Sequence, residues 1–130
     1  MMKGKWLVLF FVVLLLAPGW GTAGEVSEKD FILDTTDDLV TICTVPDGDP
    51  LQEEAISFCM GFLVGAYHYH VAENAGPDGD PMVCPPDPPP PRAKILKMFM
   101  DWVKKHPEYK NDEAVETWFR FLVETYPCNP

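Results

Sequence analysis

The chain has 130 residues, with twenty Asp and Glu against ten Lys and Arg, a formal net charge of −10. A surface of that sign repels nucleic-acid phosphates and suits a basic protein partner or plain solvation. The length fits one domain, and four cysteines in so short a chain point to disulfides rather than to a reduced compartment.

Residues 1–24 read as a secretory signal peptide. Met1-Met2-Lys3-Gly4-Lys5 is a basic start, Trp6 to Ala17 is apolar, and Pro18-Gly19-Trp20-Gly21 breaks the run ahead of small residues. Cleavage is expected after Ala23 or Gly24, which places the chain in the periplasm and leaves no membrane anchor. Residues 25–34 then form a loose lead-in whose Phe31-Ile32-Leu33 patch tacks onto the body. Residues 35–130 make the domain proper.

Helix one follows Thr35 or Thr36 as cap, with Asp37 and Asp38 in its first turn and Leu39, Ile42 and Cys43 on one face. Val45-Pro46-Asp47-Gly48 turns the chain. Asp49 and Pro50 suit the cap and first position of helix two, which runs to about Glu73. This helix is apolar nearly all round, so it is expected at the centre of a small bundle, with a membrane span as the weaker reading. Gly61 and Gly65 would let a neighbouring helix approach closely.

Asn74 to Pro91 is irregular. Gly76-Pro77-Asp78-Gly79-Asp80-Pro81 is turn chemistry without the spacing of a calcium loop, and Pro88 to Pro91 form a stiff spacer. Helix three spans about Arg92 to Lys105 and stops at His106-Pro107. Helix four starts at Asn111 or Asp112 and ends near Tyr126, with Ala114, Val115, Trp118, Phe119, Leu122, Val123 and Tyr126 as its buried stripe.

Helices three and four are of similar length and joined by a short connection, so they form an antiparallel hairpin. That hairpin sets Cys84 near Cys128 and leaves Cys43 to pair with Cys59. The expected fold is therefore all-α, a four-helix bundle stapled by Cys43–Cys59 and Cys84–Cys128. No catalytic motif or cofactor motif is present. His68 and His70 diverge on a helix, so no metal site is expected there; one should be packed and the other exposed.

The order of these pieces resembles a known family. Cys59-Met60-Gly61-Phe62-Leu63-Val64-Gly65 is followed by Cys84-Pro85, then His106-Pro107-Glu108, then a helix from Ala114 that ends in Tyr126-Pro127-Cys128. This is similar to the Rap/Tai immunity proteins, which protect bacteria from type VI secretion amidase toxins. The resemblance implies a disulfide-bonded, helical, periplasmic and non-enzymatic inhibitor, commonly a homodimer, that binds a peptidoglycan amidase effector. The proline run and the acidic Gly76–Pro81 loop depart from the family pattern. Glu73, Asp78, Asp80 and Asp87 are the expected contacts if the partner is basic. The competing reading is a periplasmic stress chaperone or accessory binding protein on a similar small helical fold.

Overall fold

The computed structural model describes residues 25–128; the signal-peptide reading lies outside them. Four helices carry the fold: α1 Thr36–Cys43, α2 Gln52–Glu73, α3 Arg92–Lys105 and α4 Ala114–Thr125. Two 3-10 turns, Glu28–Ile32 and Pro107–Tyr109, precede α1 and α4. Among the described residues the only strand-like pairing is one bridge between Val83 and Pro127. The all-α architecture is as the periodicity predicts.

The two disulfides are Cys43–Cys59 and Cys84–Cys128, with Cα–Cα distances of 5.3 and 4.6 Å. The first ties the last turn of α1 to α2. The second ties the middle of the irregular segment to Cys128 beyond the end of α4, where the Cys84 N–H also donates to the Tyr126 carbonyl at 2.8 Å.

Helix α1 is short, yet it is the best-buried element. Thr35 caps it through a reciprocal box: Asp38 accepts from the Thr35 N–H at 2.8 Å, and the Asp38 N–H donates to Thr35 Oγ1 at 3.3 Å. Two further N–H groups of its first turn are satisfied from far along the chain. Thr36 N–H donates to the Asp112 carbonyl at 2.8 Å and Asp37 N–H to the Lys110 carbonyl at 3.0 Å. The free end of α1 is thus completed by the connection between α3 and α4. Thr36, Leu39 and Ile42 are fully buried as a result.

That arrangement corrects the predicted start of α4. The carbonyls of Lys110 and Asp112 are occupied by α1, and the helix opens at Ala114 behind an extended Glu113. The start of α2 also differs. Asp49 does accept an early N–H, from Leu51 at 2.8 Å, but Pro50 belongs to the turn and the helix opens at Gln52. Gln52 closes that turn from both sides: its amide donates to Asp47 at 2.7 Å and its oxygen accepts from Gly48 N–H at 3.1 Å. The lead-in is more built than its composition suggests. Ser27 and Asp30 form a second capping box, Val26 is buried, and the Phe31 ring meets Phe58 of α2 edge-on at 5.4 Å.

The core lies among all four helices, with Ala55, Cys59 and Leu63 of α2 packed beside Leu39 and Ile42 of α1, Phe99 of α3 and Trp118, Phe121 and Leu122 of α4. Phe99, Trp118 and Phe121 form an aromatic triangle with centroids 5.0 to 5.5 Å apart. Such tilted and edge-on pairs add stability beyond the area they bury. Helix α2 was expected at the centre, but only one edge of it enters the core. Of its 22 residues only Ala55, Cys59, Leu63 and His70 are buried. At 1.5 Å per residue it is about 33 Å long and outruns the 8-residue α1 beside it. Gly61 and Gly65 are exposed, and a Cβ at either would meet nothing within 4 Å, so no helix among the described residues uses the space they leave. No helix among the described residues is long and apolar enough to cross a membrane.

Candidate partner interface

Glu73, Asp78 and Asp80 sit on one turn at the end of α2. Asn74 builds it. Its side-chain N–H₂ donates back to the His70 carbonyl at 2.8 Å, and its side-chain oxygen accepts from the Asp80 N–H at 3.1 Å. Gly79 passes so close to the Asn74 carbonyl that a Cβ there would overlap it. No other residue fits at that position without opening the turn. The three acids are exposed. Glu73 accepts a hydrogen bond from the Tyr69 hydroxyl at 2.9 Å, and the carboxylate beside it raises the Tyr69 pKa above its ordinary value. Asp87 is exposed too, but it lies on the proline segment beyond Cys84, outside this turn.

Past Asp80 the chain runs to Met82, which is 55% exposed, before Val83 turns inward. Met82 closes one side of a shallow apolar depression on the outer face of α4, lined by Val115, Phe119 and Val123 and edged by Glu116, Arg120 and Glu124. This face is where sequence reading went astray. Val115 and Val123 were expected in the buried stripe of α4, and they are 40% and 38% exposed. The buried residues are instead Ala114, Thr117, Trp118, Phe121 and Leu122. Apolar residues cover more of α4 than one helix face needs, and the surplus lies at spacing four on the solvent side. That surplus is the signal that could have found it.

The depression is held by ion pairs around it. Arg120 pairs with Glu116 one turn back, lies 4.0 Å from Asp112, and stacks its guanidinium 4.8 Å over the Tyr109 ring. Under Phe119 lies His70, which is buried and meets the Phe119 ring edge-on at 5.4 Å. His68 is exposed, so the two histidines diverge as expected. Among the described residues no group of three His, Cys, Asp or Glu side chains could hold a metal.

A small helical domain closed by two disulfides, with an acidic turn running into an exposed apolar strip, belongs to the class of stapled helical binding domains. The model of the family of Rap1a immunity proteins matches residues 35–128, and the chain belongs to that family. Comparison with curated proteins and with solved structures produced no match. Membership implies an immunity role and a protein effector as partner.

Proposed function

We propose that this chain is an exported immunity protein that binds and inhibits a peptidoglycan-cleaving amidase delivered by type VI secretion. The observation that carries the reading is the family match over 35–128, nearly the whole described body. The two disulfides support it, because a frame that depends on them suits an oxidising compartment, where such a toxin would act. In this reading residues 1–24 direct export and are removed near Ala23 or Gly24, and residues 35–130 act as one non-enzymatic inhibitory domain.

The contact face is the acidic turn with Glu73, Asp78 and Asp80, continued through Met82 onto the outer strip of α4. It supplies what a protein interface uses: an apolar centre and a charged edge. Asp87 contributes at the margin. A second copy pairs through the bare face of α2 around Gly61 and Gly65. The test is co-purification of the oxidised protein with peptidoglycan amidases, followed by release of cleaved peptidoglycan with and without it. Stoichiometric capture and loss of amidase activity are expected. An amidase panel that neither binds nor loses activity would overturn the proposal. Sedimentation of the protein alone reads the pairing of copies.

A further inference from the structure

A second concavity lies on the other side of the molecule's core, with a volume of about 260 Å³. Its floor is made by Leu63, Val83, Trp118 and Leu122, which are buried. Its rim includes His68, Pro89 and Arg92, which are exposed. An apolar hollow of this size ordinarily collapses onto itself or is filled by side chains. Here one wall is stiff. Pro85, Pro89 and Pro90 line it, in a segment with little conformational freedom. That segment is pinned at one end by the Cys84–Cys128 bridge and the Cys84 N–H bond to Tyr126. At the other end Pro91 opens α3, its carbonyl accepting from Lys94 and Ile95 N–H at 2.9 and 3.2 Å.

The charge of the cavity is one-sided. In a chain with twenty acidic residues, none lines it. Arg92 does, and it enters no ion pair among the described residues. Tyr67, His68 and Tyr126 are the other polar side chains of the lining, and none of them is a carboxylate that could pair with the guanidinium. The complement of an unpaired guanidinium at the mouth of an apolar hollow is an anion with an apolar body.

We propose that this cavity is a binding site for a small amphipathic carboxylate, with its chain or ring against Leu63, Val83 and Leu122 and its carboxylate turned to Arg92 at the rim. Since a cavity of about 150 Å³ holds benzene, this one has room for roughly ten heavy atoms. That suits a medium-chain acyl group or a substituted aromatic acid. The proline segment, which has the look of a spacer in the sequence, is on this reading the wall that keeps the site open. The site stands beside the immunity role and does not rest on it.

The test uses the oxidised protein titrated with octanoate and with 1-octanol, by calorimetry and by following the Trp118 indole N–H resonance. Saturable one-to-one binding of octanoate is expected, tighter than octanol by about tenfold, as one charge-assisted hydrogen bond supplies. The indole resonance should shift on saturation. Arg92→Gln should erase the preference for the carboxylate while octanol still binds. Val64→Trp, at a half-buried position on the cavity wall, should abolish binding of both; Leu96→Trp serves the same purpose should the first variant not fold. No saturable binding of either probe would overturn the proposal. So would equal affinity for the two, or binding that survives both cavity-filling variants.

Discussion

Single residues carry this fold where a polar group is buried or a side chain is missing. The Thr36 and Thr117 hydroxyls share a 2.7 Å hydrogen bond in the core between α1 and α4, and both residues are fully buried. Thr36→Val leaves the Thr117 hydroxyl in the core without that partner. It should cost about 1–3 kcal/mol by urea denaturation, and the Thr36→Val, Thr117→Val pair should cost less than the two single changes added together, because no orphan remains. The opposite case is Gly61. It sits within a helix with open space where its Cβ would be. Gly61→Ala should raise the stability of the isolated chain by about 1 kcal/mol through helix propensity alone. If α2 is also the face on which two copies meet, the same change should weaken self-association in sedimentation. A variant that is both more stable and equally self-associating would remove α2 from the pairing surface.

Among the elements, the connection between α3 and α4 does more than join them. Its carbonyls complete the start of α1, and its side chains stack on Trp102 of α3, which lies over His106 at 4.1 Å and nearly parallel to Tyr109 at 5.6 Å, while the Arg120 guanidinium packs over the Tyr109 ring. His106 is also hydrogen-bonded to Glu108 at 2.9 Å, and that bond holds the Glu108 carboxyl below its ordinary value. A lowered carboxylate pKa stabilises the fold at pH above its unfolded value of about 4.5 and loses that contribution as pH falls through the lowered value. His106→Gln should therefore move the Glu108 titration upward in a carboxyl-resolved NMR titration, and a midpoint that stays put would show that the histidine is not its cause. Much of this level was readable in advance. The four helices announced themselves through apolar spacing, the start of α1 through a threonine cap at Thr35 or Thr36 with acids behind it, and His106-Pro107 as a stop. What could not be read was anything depending on a distant partner. The start of α4 moved to Ala114 because α1 occupies the carbonyls ahead of it. The exposure of α2 follows from how much body there is to cover it, not from its own composition. The exposed strip at Val115, Phe119 and Val123 was hidden because an apolar residue looks the same whether it faces the core or a partner.

At the scale of the whole molecule, the two disulfides divide the work. Cys43–Cys59 closes a separation of 16 residues and fastens α1 to α2, two elements already in contact. Cys84–Cys128 closes 44 residues and fastens the irregular segment to the end of α4. By loop-closure entropy, losing the first should cost about 3 kcal/mol and losing the second about 4 kcal/mol. The difference in kind is larger than the difference in size. The segment from Asn74 to Pro91 has no regular secondary structure of its own to hold it, and among the described residues its only bridge to another part of the chain is the pair Val83 and Pro127 next to the disulfide. Replacing Cys84 and Cys128 by serine should release that segment locally before the helices melt, so amide exchange should rise across 75–91 while α1 and α4 stay protected. The Cys43, Cys59 double serine variant should instead lower the global transition with no separate exchange in 75–91. The proposed contact turn and the proline-walled cavity both hang from the second bridge. Its loss should therefore abolish partner capture and octanoate binding at temperatures where circular dichroism still reports a helical protein. Retention of both functions in that variant would show that the segment keeps its shape without the bridge, and that the proline wall is stiff enough alone.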